Sequence, residues 1–572
     1  MQKLKKIKKL LIAHNIDGYI IPKNDEFFNE YVPENKDNLK FISNFSGSYG
    51  FALILKNKNY LFVDGRYTLQ AKIQSGKKFN IITIPNKLPG DILKNKKLFI
   101  GFDPKLFTEM MLARLFKKSK CKLIPLKKNL VNMIWKVKNI NSLNKFYKLD
   151  DKDCGQSSRN KINKLIKLIN ISNINLQFIT APENVAWTLN LRGVDSEFTP
   201  IPNSYLIITS ENKIYFFCDL KKIDRKLKKK LKKITILNIK KTGQFLSKII
   251  NKKIQIDIFS CSIFFKNILK KNNIIIDKKD TIYHLKSIKN KTEIKNTIKT
   301  HISDGVALTK FLFWIKNNFK IKKISEITAQ QKLLKYRKKN KKFKFLSFPT
   351  ISGSGPNGAI IHYKADKKNN RILKKGDLYL VDSGGQYNFG TTDVTRTISL
   401  ENNKPRIKNI FTRVLKGHIA VANYKIRKNT TGSQIDPAAR KYLKEINLDY
   451  AHGTGHGVGY FLNVHEGPQA ISKGNTIKLK EGMIISNEPG YYEDGKFGIR
   501  IENLITIKKK GNSLKFENLT LTPIDKSLIE KKLLNKNEIN WLNDYHLKVF
   551  NNLKKFMNKS ELLDLKNSCS NI

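Results

Sequence analysis

Eighteen consecutive residues, VDSGGQYNFGTTDVTRTI at 381–398, carry one basic side chain, Arg396, in a chain where 110 of 572 residues are Lys or Arg. The stretch holds two aspartates, Asp382 and Asp393, around a Gly-rich middle. LYLVDSG and TTDVTRTIS are strand-like on either side of GQYNFG, so the segment reads as a β-hairpin. A hairpin centred between Tyr387 and Asn388 places positions 382 and 393 across from each other, with Cβ atoms about 5 Å apart. Like charges opposed in this way destabilise a ribbon unless a proton or a cation lies between them.

A second segment repeats the construction. In GMIISNEPGYYEDGKFGIRIENLITI (482–507), Glu488 and Glu502 are equidistant from Gly495 of the turn-forming pair Asp494-Gly495. Between the two hairpins lies AHGTGHGVGYFLNVHEGPQA (451–470), without a Lys or Arg, which brings His452, His456 and His465. His362 comes earlier, in SGPNGAIIHY. Four carboxylates and one imidazole can bind two divalent cations through shared carboxylates. Hard oxygen ligands with one nitrogen favour Mn²⁺ or a similar ion over a structural thiolate zinc. Two such ions roughly 3.5–4 Å apart can polarise a carbonyl and lower the pKa of a bridging water. Lysines in these stretches would compete with the metals for the acids. Taken singly, each residue has an ordinary reading: an Asp at a strand end is often a cap, and a Gly-flanked His often packs or faces solvent. Two acid-paired hairpins and a His segment, with no Lys or Arg in 451–470 or 482–495 and only Arg396 in 381–398, make a joint accident implausible.

The remaining composition sets bounds. A chain of 572 residues is too long for one core and should form roughly two to four domains. Its 40% apolar and 10% aromatic residues suffice for packed cores. No apolar run approaches the ~20 residues needed to span a bilayer. The basic N-terminus has no uninterrupted apolar region, so a cytoplasmic location is the expectation. Leu4, Ile7, Leu10 and Leu11 share one face of a first amphipathic helix. Five scattered cysteines argue against a disulfide framework. The net charge of +64 raises the possibility of a nucleic-acid partner. However, the lysines spread along the whole chain, and the densest run, KKIDRKLKKKLKK at 221–233, has no interleaved aromatics. Neither specific nucleic-acid binding nor a membrane partner is expected.

Three zones follow. Residues 1–150 and 151–290 each mix short helices with β-rich runs such as YGFALILKNKNYLFVDGRYTL, an α/β organisation built twice. From about 291 the texture changes: 19 of the 31 glycines lie between 351 and 500, as tight turns and close backbone approach require. A Lys/Asn-rich tail from about 511 ends in the amphipathic pattern WLNDYHLKVFNNLKKFM.

FPTISGSGPNGAIIHY, VDSGGQYNFGTTDVTRTI, HGTGHGVGYFLNVHEGP and SNEPGYYEDGKFGIRIENL resemble the catalytic domain of the Xaa-Pro aminopeptidases. These are pita-bread metallopeptidases related to prolidase and methionine aminopeptidase. The likeness extends to NFSGSYGFALI, LFVDGRYTLQA, NVAWTLNLRG, LKSIKNKTEIKNTIKTHISDGVAL and WLNDYH, and so to nearly the whole chain. It implies two creatinase/prolidase-like α/β domains (1–150 and 151–290), a pita-bread catalytic domain (291–510) and a C-terminal extension packed on it (511–572). Carried over residue by residue, the resemblance implies five metal ligands: Asp382, Asp393, His456, Glu488 and Glu502, with Asp393 and Glu502 bridging two ions. Mn²⁺ is favoured, with Zn²⁺ or Co²⁺ as alternatives. Glu488 would serve as general base. His362, His452 and His465 would orient substrate carbonyls and stabilise the oxyanion, and Arg500 would support the site. The implied reaction is hydrolysis of the N-terminal Xaa-Pro bond of short peptides by a homodimer. One departure stands out: in DEFFNEYVP, Phe27 and Phe28 occupy the place where relatives commonly carry a His-Gln pair.

Other readings compete with this one. They are a prolidase restricted to dipeptides, a pita-bread binding module without metal, and a polyanion-binding protein. The extra domains, the full set of five ligands and the dispersed charge argue against each in turn.

Overall fold

The computed structural model describes residues 2–135, 144–401, 403–511 and 513–572. The chain divides into two compact units, Met1–Ile282 and Tyr283–Ile572.

The first unit builds one α/β architecture twice. Its first sheet has the spatial order Asn80–Ile84, Asn59–Asp64, Phe51–Leu55, Gly18–Pro22, Phe99–Phe102, Lys122–Pro125. The second runs Thr235–Asn238, Ile214–Cys218, Tyr205–Thr209, Leu176–Ile179, Lys253–Asp257, Ile274–Lys278. In both, the earliest strand of the sheet lies inside it. That strand pairs antiparallel with a hairpin strand and parallel with a later one. The outermost strands are added in parallel. The expected hairpin appears with Phe51 opposite Phe62. A short strand, Tyr147–Lys148, pairs with Leu191–Arg192.

The first helix, Gln2–Ala13, buries Ile7 and Leu11 with Leu4 and Leu10 beside them, and its lysines face outward. In the basic run, Arg225–Lys230 is helical and buries only Leu227, as a solvated face should. Phe27 is buried and stacks on Tyr205 with ring centroids 5.2 Å apart. It is therefore committed to packing within this unit. All five cysteines are free thiols.

The second unit repeats two helices followed by a β-ribbon. Helices Lys291–Asn318 and Glu326–Lys338 precede the strands Leu378–Ser383 and Val394–Ser399. Helices Pro405–Ala422 and Gly432–Lys444 precede Ile484–Asn487, Gly490–Glu493, Phe497–Arg500 and Asn503–Lys510. The long first helix starts at a reciprocal cap: Asn290 Oδ1 accepts from the amides of Thr292 and Glu293, and Glu293 Oε2 accepts from the Asn290 amide. One turn of that helix carries Asp304 into the interior, where Arg337 of the second helix donates to both its oxygens at 2.8 and 3.1 Å. Helices Pro405–Ala422 and Gly432–Lys444 pack closely because position 417 is glycine; a Cβ there would lie 2.2 Å from the Ala439 carbonyl oxygen. The segment expected to form the terminal helix lies largely in Lys536–Leu553, but it is not the last: a further helix, Lys559–Cys569, follows it. Lys536–Leu553 adds Leu542, Tyr545, Val549 and Leu553 to a core that also contains Phe411, Val414, Ile499 and Ile501. Among the described residues no helix is long and apolar enough to cross a membrane.

Candidate metal centre

The two ribbons deliver the acids, in registers that bear out one expectation and correct the other. In the second ribbon Asn487 faces Asn503 and Gly490 faces Arg500, so the same register runs through Glu488 and Glu502. Gly495 sits at the turn with φ +69°, a conformation glycine adopts without strain. In the first ribbon Tyr387 pairs with Gly390 and Asp382 with Thr395. The turn is therefore Asn388-Phe389, and Asp393 does not stand directly across from Asp382 as expected. The reason is Tyr387, which is buried and donates its hydroxyl hydrogen to Asp304 Oδ1 at 2.7 Å. That contact holds Tyr387 in the strand and pushes the turn one residue onward. Asp393 then lies two residues from Thr395, on the same ribbon face as Asp382.

The ribbons meet edge to edge. The Glu502 amide donates to the Thr395 carbonyl at 3.2 Å, and the Arg500 amide donates to Thr397 Oγ1 at 3.0 Å. Thr395 Oγ1 also donates to Glu502 Oε2 at 2.7 Å. A third element, Gly455–Gly457, pairs with Ile484–Asn487, and the Glu488 amide bonds to the Thr454 carbonyl at 2.8 Å. This sets His456 beside the acids, with Nε2 3.4 Å from Asp393 Oδ2 and 3.5 Å from Glu488 Oε1. Ligand atoms of Asp393, His456 and Glu502 lie within 4.8 Å of one another.

The tautomer of His456 follows from its other nitrogen. Nδ1 is 2.9 Å from the Gly457 carbonyl, which can only accept, so Nδ1 carries the hydrogen and Nε2 faces the carboxylates. Burial works against a charged His456, yet Asp393 and Glu488 raise its pKa to about 9. Burial pushes Asp382 up to about 7, with Asp393 and Glu488 adding to the effect and Arg500 opposing it. Glu488 is raised by burial, and Glu502 is held well above the carboxylate range by burial and by its three acidic neighbours. Asp382 Oδ1 is buried and has no hydrogen-bond partner. This is a pocket of acceptors short of positive charge, and divalent cations fit it.

Arg500 donates to Asp382 Oδ2 at 2.6 Å, to Thr395 Oγ1 at 3.0 Å and to the Tyr492 hydroxyl at 2.5 Å. Tyr492 in turn lies 2.9 Å from His452 Nε2, whose Nδ1 faces the Gly453 carbonyl. Hydrogen bonds thus run from Arg500 through Tyr492 to His452. The His465 ring lies 4.4 Å from the His456 ring, centroid to centroid. His362 sits just past the turn Gly355–Ala359, and that turn abuts the second ribbon: a Cβ on Gly498 would lie 1.8 Å from the Gly358 carbonyl oxygen. Sequence reasoning overlooked Tyr492, Thr395 and Ser486. Ser486 donates to Glu488 Oε1 at 3.0 Å. Strand parity was the available signal, since Tyr492 and Thr395 lie an even number of residues from Glu488 and Asp393.

Fold and site together define a pita-bread domain with an acid-lined metal centre. Residues 296–509 match metallopeptidase family M24 and residues 512–572 the C-terminal region of peptidase M24. Residues 3–134 and 137–293 match creatinase/prolidase N-terminal domains. A probable Xaa-Pro aminopeptidase P of Laccaria bicolor is 37% identical, over 96% of this chain and 90% of that one. The X-prolyl aminopeptidase of Caenorhabditis elegans, described as a cytosolic enzyme with a di-nuclear active site, superposes with a TM-score of 0.94 at 30% identity. That match covers 100% of this chain and 99% of the other. Prolidase from Pyrococcus furiosus is 25% identical with a TM-score of 0.51, covering 62% of this chain and 99% of that one. The chain belongs to metallopeptidase family M24, and within it to the Xaa-Pro aminopeptidases.

Proposed function

We propose that the protein is a metal-dependent aminopeptidase that hydrolyses the N-terminal Xaa-Pro bond of short peptides. The observation that carries this reading is the meeting of His456 Nε2 with Asp393 and Glu488, beside Glu502 and the unpartnered Asp382 Oδ1. Asp382, Asp393, His456, Glu488 and Glu502 would hold two divalent ions. Their mostly oxygen donor set favours Mn²⁺, with Zn²⁺ and Co²⁺ as alternatives. When bound, such ions polarise the scissile carbonyl and lower the pKa of water.

The chain's own groups do the rest. Glu488, oriented by the Ser486 hydroxyl, accepts the proton of the attacking water. His362 and His465 orient the substrate carbonyl and donate to the oxygen as charge develops on it, whereas His452, whose ring nitrogens meet the Gly453 carbonyl and the Tyr492 hydroxyl, acts by holding Tyr492. Arg500 anchors Asp382 and, through Tyr492, fixes His452. A prolyl amide has no N–H and a fixed φ, so the pocket must accept a peptide that ordinary aminopeptidases handle poorly.

The same reading carries the four-part division at 150, 290 and 510. It also carries a homodimer and a cytoplasmic location, the latter supported by the cytosolic relative. A dipeptide-restricted prolidase is the second reading. It is disfavoured because the prolidase likeness spans 62% of this chain whereas the aminopeptidase likeness spans all of it. A hydrolysis panel in Mn²⁺ separates the two. Cleavage of Xaa-Pro-Yaa tripeptides, with proline-free peptides untouched, is the expected pattern; cleavage of Xaa-Pro dipeptides alone would favour the prolidase. His465→Ala should retain its metal and lose about 10²–10³-fold in turnover, the scale of a lost oxyanion donor. A metal-free His465→Ala protein would move that residue from carbonyl recognition to ion binding.

A further inference from the structure

Arg396 is the single basic side chain in the cleared stretch, and it is only 1% exposed. Its planar fork of N–H donors is spent on uncharged acceptors. Nε donates to the Pro523 carbonyl at 3.0 Å. Nη1 donates to the carbonyls of Thr395 at 2.8 Å and Glu502 at 2.7 Å. Nη2 reaches Asn503 Oδ1 at 2.8 Å, the Thr522 carbonyl at 2.7 Å and the Tyr545 hydroxyl at 2.8 Å. Thr395 and Glu502 are the residues at which the two ribbons join. Tyr545 comes from the helix Lys536–Leu553 of the C-terminal extension. Its hydroxyl accepts from Arg396 and donates to the Thr522 carbonyl at 2.9 Å, while its ring stacks on Trp541 with centroids 5.5 Å apart. Burying a guanidinium is costly unless every donor is satisfied; the two Nη2 hydrogens share three acceptors, and Tyr545 is the one that ties the C-terminal helix to Arg396.

We infer that the C-terminal extension contributes to metal binding from a distance. Tyr545 locks Arg396, and Arg396 fixes the backbone at Thr395 and Glu502 so that the Glu502 carboxylate stays turned toward Asp393 and His456. Both are positioning residues. The inference rests on Glu502 being a metal ligand, so the test includes that ligand.

The measurement is calorimetric titration of the chelator-stripped full chain with Mn²⁺. The proteins are wild type, Glu502→Gln, Tyr545→Phe, Arg396→Lys and Trp541→Phe. Wild type should take up two ions and Glu502→Gln should lose at least one. Tyr545→Phe keeps its ring and its stack, yet should bind one ion about tenfold more weakly, the usual scale for an outer-sphere partner. Its kcat should fall with little change in KM. Arg396→Lys keeps the charge without the fork and should lose more. Trp541→Phe perturbs the same helix without touching the Arg396 hydrogen bonds and should bind as wild type does, even if it melts earlier. Wild-type affinity for both ions in Tyr545→Phe overturns the inference and leaves Glu502 a ligand. Equal weakening in Trp541→Phe also overturns it, because general loosening then explains the loss. Retention of both ions by Glu502→Gln removes the ligand reading and this inference with it.

Discussion

Asp393→Ala is expected to abolish release of the first residue from a peptide such as Arg-Pro-Pro and to leave a folded protein that no longer retains metal. Asp393 is the carboxylate on which the site converges: it lies 3.4 Å from His456 Nε2, belongs to the cluster with Glu502, and raises the pKa of Asp382, Glu488 and Glu502. As the carboxylate proposed to serve both ions, Asp393 would withdraw a donor from each when replaced, so a drop of more than about 10³-fold is expected, on the scale of whole-machinery losses. The folded state offers a second readout. Mn²⁺ at about 100 times its dissociation constant should stabilise the wild type by about 2.7 kcal/mol, because it binds only the native site. The melting temperature of Asp393→Ala should not respond. Substantial turnover in the metal-loaded variant would defeat the ligand assignment.

The second large effect concerns stability. Arg337→Met should cost about 3–5 kcal/mol, the usual penalty when one partner of a buried ion pair is removed. Arg337 is fully buried, and Asp304 is 4% exposed at its side chain. Burial alone would raise the Asp304 pKa, yet it is lowered from its ordinary value because Arg337 and the Tyr387 hydroxyl both bond to the carboxylate. Without the guanidinium, an uncompensated carboxylate remains in the interior and Ser383 Oγ, next to Asp382, loses the donor now 3.1 Å away. Chemical denaturation would read the loss as a lower midpoint. A change under about 1 kcal/mol would mean that water reaches Asp304.

Much of this molecule is legible locally. Glu488 and Glu502 are found by counting outward from Gly495, since a turn that demands a left-handed residue fixes the register on both sides. The doubled α/β unit is legible because strand and helix periodicities recur in the same order. The spacing of the Asp382 ribbon points to a register two positions from the observed one, because its turn is set by Tyr387, and the partner of Tyr387 is Asp304, which lies 83 residues away in sequence. No local pattern carries that information. Arg396 stood out as the exception in a lysine-free stretch, but its purpose depends on Tyr545, 149 residues further along. Tyr492 and Thr395 are ordinary strand residues by type; strand parity places them on the face of Glu488 and Asp393, and the joining of the two ribbons turns that face inward.

The most direct test of the account is anomalous scattering from crystals grown in excess Mn²⁺. Two peaks roughly 3.5–4 Å apart, in contact with Asp382, Asp393, His456, Glu488 and Glu502, are the predicted result. Full-length protein saturated with Mn²⁺ that shows no peak among these five side chains would contradict it.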